Sequence, residues 1–145
     1  MIVFAFGASG CDLLAFLPEP PGGYDSLSLE RRPYHGDALR LDGFYADPYY
    51  SPDGQGPFWS AHFFYRNGAV WYAGSFDKEP RTVTRDDFFG EKHDNRSHWG
   101  IFRVDGDRVA FERWYPANKG YREAHVRAGF VLNDSTFTIT ESWRS

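Results

Sequence analysis

Apolar and polar residues alternate along most of the chain after residue 38, which is the two-residue period of a β-strand. The clearest stretch runs from His98 to Tyr115, where alternating segments flank Asp105-Gly106. An Asp-Gly pair supplies the positive φ angles that a tight hairpin turn needs. This pattern predicts two antiparallel strands that reverse direction at Asp105-Gly106.

The same signals predict two more hairpins and one leading strand. The hairpins reverse at Asn67-Gly68 and at Asn133-Asp134, and the leading strand covers Leu39 to Tyr45, before a Pro- and Gly-rich loop at 47–57. Thr84, which precedes two acidic residues, is a candidate N-cap for one short helix near 84–90. The strands of the two hairpins are predicted at 59–66, 69–76, 121–132 and 135–144.

The predicted fold class is therefore all-β, an antiparallel meander of about seven to eight strands. A long twisted meander tends to curl and close, because closure removes unpaired strand edges. We expect an up-and-down barrel or half-barrel, and a flatter two-sheet sandwich is the alternative.

The register of a two-residue hairpin assigns each side chain to one face of the sheet. In the last hairpin this register puts Phe130 opposite Phe137, on an apolar face that also carries Glu141. A carboxylate on that face needs a partner, because an unpaired buried charge is costly. Arg113, on the Phe111 face of the central hairpin, is the predicted partner of Glu141.

The Asn67-Gly68 hairpin is aromatic on both faces, and its expected register puts Phe64 and Trp71 on the same one. A sheet that is apolar on both sides needs cover on both sides. The barrel interior supplies one cover. The other is expected from the segment at 84–90, through Phe88 and Phe89, from the N-terminal arm, or from a partner.

Composition and charge narrow the class of protein. A chain of 145 residues fits one domain with a single core, and 14 Phe, 9 Tyr and 5 Trp favour a pleated sheet. The net charge of -4, without a run of Lys or Arg, argues against nucleic-acid binding. No apolar stretch approaches the ~18 residues of a membrane-spanning helix.

The single cysteine, Cys11, leaves no partner for a disulfide within this chain. It follows an apolar stretch that ends in Ala8-Ser9-Gly10, and this resembles the end of a bacterial lipoprotein signal, whose cysteine carries lipid. Residues 12–37 are rich in Pro and Gly, which is typical of a tether. We therefore predict a signal remnant and flexible tether at 1–37 and one barrel domain at 38–145, held in the bacterial cell envelope by lipidated Cys11. A loose N-terminus with an inert cysteine is the alternative.

The sequence holds no recognised catalytic or metal-binding motif. The hydrolase pattern G-x-S-x-G and the phosphate-binding glycine loops are absent. His93, Asp94 and His98 lie in a polar stretch without the spacing of known metal ligands. We predict no metal, no cofactor and no enzymatic activity.

Five motifs spread over 39–144 carry a resemblance to a known group of proteins. They are L-R-L-D-G-F-Y at 39–45, F-F-Y-R-N-G at 63–68, W-G-I-F-R-V at 99–104, F-E-R-W-Y-P at 111–116 and L-N-D-S-T-F at 132–137. Together they resemble small uncharacterised lipoproteins of Bacteroidota with a lipocalin-like (calycin) β-barrel. The resemblance implies the barrel fold and an envelope location, and it carries over no functional residue.

Two functional hypotheses follow from these predictions. The first is a non-enzymatic envelope lipoprotein whose barrel binds a small apolar or amphipathic ligand. The second is a structural or protein-interaction module whose large rings fill the barrel completely. For the first hypothesis the predicted ligand contacts are Phe64, Trp71, Phe102, Phe111, Arg113, Phe130 and Glu141.

Overall fold

Eight antiparallel strands form one closed barrel. The computed structural model describes residues 2–7, 27–88, 96–116 and 122–145. Each strand pairs with its neighbours in the sequence, and the first strand pairs with the last. The predicted all-β meander is therefore confirmed as a barrel rather than a sandwich. The strands are β1 (Ile2–Gly7), β2 (Gly43–Tyr49), β3 (Phe58–Phe64), β4 (Ala69–Phe76), β5 (Trp99–Asp105), β6 (Arg108–Pro116), β7 (Arg122–Asn133) and β8 (Thr136–Arg144).

One short α-helix, α1 (Arg85–Phe88), lies between β4 and β5, and 3-10 turns occur at Pro80–Thr82 and Arg96–His98. The Asp87 carboxylate accepts hydrogen bonds from the backbone N–H and the hydroxyl of Thr84, at 2.8 and 2.9 Å. This confirms the predicted helix start at Thr84. Within the described ranges no helix is long and apolar enough to cross a membrane.

The predicted boundary at residue 38 is wrong, because residues 2–7 close the barrel. Strand β1 pairs with β2 on one side and with β8 on the other, and Val3, opposite Phe137, is buried in the interior. The apolar N-terminal stretch resembles a leader, but it also fits a strand with one buried and one outward face. Cys11 and most of the predicted tether lie outside the described residues.

Aromatic rings pack the half of the interior that lies toward the hairpin turns. Phe64 contacts Tyr45, Phe102 and Phe111 at centroid distances of 5.3, 4.9 and 6.0 Å, and Phe137 joins them at 6.0 Å. These T-shaped contacts fill the barrel as a core rather than leave a channel.

The segment before β2 plugs this end of the barrel. The side chains of Tyr34 and Leu39 enter the ring cluster, and the Leu39 N–H donates to the Tyr34 hydroxyl at 2.8 Å. The Arg40 N–H and the Tyr45 hydroxyl both donate to the Asp134 carbonyl, at 3.1 and 2.7 Å. Backbone groups of the plug are thus paired with the hairpin turns, which leaves the opposite end of the barrel as its mouth.

Helix α1 covers the outer face of β2, β3 and β4, which is one of the three alternatives predicted for the Asn67-Gly68 hairpin; Phe89, the second ring predicted there, lies outside the described residues. Phe88 is buried and contacts Phe44, Phe63 and Phe76 at 5.0, 5.3 and 5.7 Å. Trp71 belongs to the same outer cluster. The sheet is apolar on both faces here because the helix supplies a second core outside the barrel.

The arm at 27–29 covers the outer face of β5, β6 and β7. Leu27 packs on Ile101 and Ala124, and the fully buried Glu112 fixes the backbone of the arm. Its carboxylate accepts from the N–H of Ser28 at 3.0 Å, from the Ser28 hydroxyl at 3.1 Å and from the N–H of Leu29 at 2.7 Å. The N-terminal arm is therefore part of the fold in this stretch.

The registers of the hairpins differ from the predicted registers. A shift of two residues keeps each side chain on its predicted face, whereas a shift of one residue moves it to the other face. The central turn lies at Gly106-Asp107, with Asp105 opposite Arg108, a shift of two residues that leaves every face as predicted. In the Asn67-Gly68 hairpin Phe64 pairs with Val70, a shift of one residue. Phe64 therefore points into the barrel and Trp71 points outward.

The last hairpin departs from its predicted register because it contains two bulges, with Leu132 as the extra residue in β7 and Thr140 as the extra residue in β8. Phe130 pairs with Thr138 instead of Phe137, and irregularities lie between Ala128 and Gly129 and between Val131 and Asn133. Each extra residue reverses the alternation beyond it. Phe130 consequently lies on the outside of the barrel and is 40% exposed.

Candidate functional site

Polar side chains occupy the half of the interior that lies toward the mouth. Inward-facing positions recur every second residue along a strand, so each strand continues past the aromatic layer with one more inward residue. Asp47 follows Tyr45 on β2, and Arg113 follows Phe111 on β6. The inward residues of this half that define the site are Asp47, His62, Tyr72, Arg113, Tyr115 and Arg127, which we call the mouth cluster.

Arg113 is the centre of the mouth cluster and is only 6% exposed. Its guanidinium lies 4.0 Å from the ring centroid of Tyr72 and 3.7 Å from that of Tyr115. Nη1 donates to the Trp114 carbonyl at 3.2 Å, whereas Nε has no hydrogen-bond partner among the described residues. Two aromatic faces thus stabilise a buried cation by cation–π attraction, while part of its hydrogen-bonding edge stays open.

Arg127, on β7, brings a second cation to the same place. Its guanidinium lies 5.2 Å from the Tyr115 ring centroid. Burial lowers the pKa of the Arg113 guanidinium, Tyr115 and Tyr72 raise it, and the Arg127 charge lowers it further. The two arginines therefore repel each other across the ring they share.

Asp47 and His62 form a loose pair beside the arginines. The distance from His62 Nδ1 to Asp47 Oδ1 is 3.9 Å, too long for a hydrogen bond, and both side chains are buried. The His62 ring packs against Tyr72 at 5.3 Å and Phe111 at 5.4 Å. Within the described chain His62 Nε2 and Asp47 Oδ1 have no hydrogen-bond partner.

Burial moves the pKa values of this pair in opposite directions, because it disfavours the charged form of each. It raises the pKa of Asp47 to about 6, although the Arg127 and Arg113 charges pull that pKa down. It lowers the pKa of His62 well below its ordinary value, and the two arginine charges add to this shift. At neutral pH His62 is therefore neutral and Asp47 is anionic.

The mouth cluster carries more positive than negative charge. Among the described residues neither Arg113 nor Arg127 forms an ion pair within 4.0 Å. At the nearby rim Glu123 is held by Arg144 at 2.9 Å and by His125 at 3.5 Å. Asp47 is thus the one carboxylate of the cluster, set against two guanidinium groups.

The structure brings together four of the seven predicted ligand residues. Phe64, Phe102 and Phe111 form part of the aromatic layer, and Arg113 lies directly beyond it. Trp71 lies outside the barrel, on the cluster covered by α1. Phe130 is exposed on the outer surface, because it pairs with Thr138 instead of Phe137.

The predicted pair between Glu141 and Arg113 is wrong. Glu141 pairs with Ala128 across β7 and β8, on the outer face, and its carboxylate accepts from Arg108 Nη2 at 3.1 and 3.2 Å. The bulge beside Ala128 reverses the alternation of the last hairpin, which moved Glu141 from the predicted dry face to the surface.

The sequence pattern missed most of the mouth cluster. The Pro- and Gly-rich composition predicts a loop at Asp47, although extending the alternation from Tyr45 by one step puts Asp47 inside. The alternation of the last hairpin puts Arg127 on its polar face, for which the sequence predicts contact with solvent; the structure places this face inside the barrel, and the neighbouring Val126 is buried on the outside.

Two open grooves lie at the ends of the barrel, apart from the mouth cluster. One, of about 630 Å³, runs along the plug and is lined by 36, 37, 39–42 and 64–66. The other, of about 410 Å³, is lined by 55–59, Asp77 and Glu79. In the described part of the chain no three His, Cys, Asp or Glu side chains gather as a metal site, and His93 and Asp94 fall outside that part.

No protein-family model matches this chain, no curated protein matches it, and no solved structure matches it. The chemistry of the site therefore has to be read from its own residues.

Proposed function

We propose that this protein is a non-enzymatic binding protein that takes a small amphipathic molecule at the mouth of its barrel. The observation that carries the proposal is a set of buried polar atoms of the mouth cluster that have no hydrogen-bond partner among the described residues: Asp47 Oδ1, His62 Nε2, Arg113 Nε and the Tyr115 hydroxyl. Buried polar atoms in native proteins are nearly always paired, and each unpaired one costs about 1–3 kcal/mol. A ligand with polar atoms at one end would complete these bonds.

The ligand has to be small, because the rings of Phe64, Phe111 and Phe137 already fill the interior beyond the mouth cluster. A long apolar chain would have to displace that core. Binding at the mouth needs no such change, and it leaves the apolar part of the ligand against the His62, Tyr72 and Tyr115 rings.

A binding role fits the geometry better than catalysis. A general base that activates a nucleophile lies within hydrogen-bond reach of it and is oriented by a third group. His62 Nδ1 and Asp47 Oδ1 are 3.9 Å apart, and within the described part of the chain His62 Nε2 has no hydrogen-bond partner that would orient the imidazole. The two guanidinium groups of the mouth cluster are instead suited to binding a charged ligand.

Backbone and arginine side-chain NMR of the labelled protein, titrated with a fragment set of acids, amines, amides and alcohols, tests this proposal. We expect saturable shifts at Asp47, His62, Arg113 and Arg127 for at least one fragment. If all shifts fall on the outer face, at residues such as Phe4 and Phe130, the proposed site is wrong.

We also propose, on the sequence pattern at 8–11 alone, that the protein belongs to the cell envelope and carries lipid on Cys11. Mass spectrometry of the protein from its native host tests this, and a free Cys11 thiol would contradict it. Strand β1 bears on the proposal directly, since cleavage before Cys11 would remove residues 2–7 from the barrel.

A packed structural or interaction module is the second candidate, and the aromatic layer favours it. The Phe64, Phe102, Phe111 and Phe137 rings leave the plugged half of the barrel filled. Complete absence of fragment binding, together with unchanged folding of the Arg127→Gln variant, would support this candidate over the first.

A further inference from the structure

We propose that the ligand is a small carboxylate whose single negative charge is bound by Arg113 and Arg127. This inference rests on the proposed function and names its ligand class. It starts from the charge balance of the mouth cluster, in which two guanidinium groups face one carboxylate, Asp47. One further negative charge makes the cluster neutral.

Arg113 keeps an unpaired hydrogen-bonding edge beside two aromatic rings. The ring centroids of Tyr72 and Tyr115 lie 4.0 and 3.7 Å from its guanidinium carbon, so cation–π contacts stabilise the charge without pairing Nε, which has no partner among the described residues. The N–H groups of a guanidinium point outward in its plane, where a carboxylate binds two of them at once. The open edge at Nε is therefore the place for a carboxylate.

The described glutamates of β6, β7 and β8 are engaged elsewhere and do not supply this charge. Glu112 is buried outside the barrel and holds Ser28 and Leu29, while Glu123 and Glu141 are engaged by Arg144 and Arg108. A buried arginine without an anionic partner is strongly unfavourable, which gives the cluster a gain on binding an external anion.

The residues around the arginines favour a flat apolar body on that carboxylate. The His62, Tyr72 and Tyr115 rings border the guanidinium groups, and Phe111 forms the floor. An aromatic carboxylate the size of benzoate presents both features. A dianion is disfavoured, because two added negative charges would leave the cluster with a net negative charge beside Asp47.

Isothermal titration calorimetry with benzoate, benzamide and benzylamine tests the inference, because the three molecules share a ring and differ in charge. At neutral pH and low salt we expect benzoate to bind at least about tenfold more tightly than benzamide, the order of one charge-assisted hydrogen bond, and benzylamine not to bind.

Arg127→Gln should weaken benzoate binding by about tenfold or more and leave benzamide binding unchanged. Arg127→Lys keeps the positive charge but loses the planar pair of N–H groups that binds a carboxylate, so the loss of benzoate affinity should be smaller. The matched control is Arg108→Gln, on the outer face of the same barrel, which should leave benzoate binding unchanged. Circular dichroism confirms that each variant is folded, and the wild-type comparison of the three ligands needs no variant.

The outcomes separate this inference from the proposed function. If benzamide binds as tightly as benzoate and Arg127→Gln changes neither, the carboxylate assignment is overturned and the binding role stands. If inorganic phosphate binds more tightly than benzoate, the single-charge assignment is overturned. If neither these probes nor any fragment of the NMR set binds, the proposed function itself fails.

Discussion

A carboxyl group that is buried with incomplete hydrogen bonding destabilises the folded state when it is ionised. Asp47 Oδ1 has no hydrogen-bond partner among the described residues, and burial raises the pKa of Asp47 from 3.8 to about 6. The folded protein then holds the Asp47 proton more tightly than the unfolded chain does. Stability from this residue is therefore present below pH 3.8 and is lost as the pH rises toward and through about 6.

Asp47→Asn should stabilise the protein at pH 7.5 and have little effect near pH 4. A shift of this size in one carboxyl corresponds to up to about 3 kcal/mol. Urea unfolding of both proteins at the two pH values measures the difference in their free energies of unfolding. His62 is present in both proteins, so its own effect on stability largely cancels in this difference. Equal stabilisation at both pH values would show that the titration of Asp47 is not its source.

Asp47 also couples ligand affinity to pH. Its ionisation above about pH 6 adds a negative charge beside the arginines. Benzoate affinity should therefore fall as the pH rises through this range, and the fall should disappear in the Asp47→Asn variant. Calorimetric titrations between pH 5.5 and 8 are the measurement, and a pH-independent affinity in the wild type would contradict the coupling.

Glu112 anchors the N-terminal arm through one fully buried carboxylate. Glu112→Ala leaves the N–H groups of Ser28 and Leu29 without their acceptor, and we expect a loss of about 3 kcal/mol in the free energy of unfolding. Glu141→Ala is the matched control, since Glu141 forms a half-exposed ion pair with Arg108 worth at most about 1 kcal/mol. Similar losses in the two variants would show that the arm does not depend on Glu112.

At the scale of strands and hairpins, the sequence predicted the turns better than the registers. Tight turns have local signatures, and all three predicted hairpins are present. The register depends on where a bulge or a longer loop contains one extra residue. Neither feature has a sequence pattern that is clear enough to predict its position. The one-residue shift at Phe64 therefore puts Trp71 outside the barrel, the bulge at Leu132 does the same for Phe130, and the bulge at Thr140 does the same for Glu141.

Helix α1 shows that an outer core can stabilise a barrel as much as an inner one. Phe88→Ala removes a ring that contacts Phe44, Phe63 and Phe76, and we expect a loss of about 3–5 kcal/mol. Phe130→Ala, at an exposed position, should cost less than about 1 kcal/mol. Thermal and urea unfolding of the two variants compare these costs, and a larger loss at Phe130 would restore the register predicted from the sequence.

At the scale of the whole molecule, the alternation of apolar and polar residues along a strand indicates which residues are buried. It does not indicate whether they are buried inside the barrel or on its covered outer face. Near the mouth the interior is polar, and the outer face is apolar because the arm at 27–29 and α1 cover it. Arg127 therefore looks like a surface residue in the sequence, although it faces the inside of the barrel opposite Phe111, and Arg113 is predicted inside but with the wrong partner. The fold was predictable from local periodicity, and the site was not, because it depends on distant segments that cover the outside.

Closure of the barrel by β1 makes the first residues of the chain essential to the fold. Val3 faces the interior opposite Phe137 and is 2% exposed, while the next residue, Phe4, faces outward and is 43% exposed. Val3→Asp buries an unpaired charge in the aromatic layer and should abolish cooperative unfolding, whereas Phe4→Asp should be tolerated within about 1 kcal/mol. Circular dichroism melts of the two neighbouring variants, with a deletion of residues 1–10, make the comparison. The deletion should leave β2 and β8 as open edges and produce aggregation, because unpaired strand edges recruit other chains. If the deleted protein stays monomeric with the melting temperature of the full chain, residues 2–7 are dispensable and cleavage before Cys11 is compatible with the folded barrel.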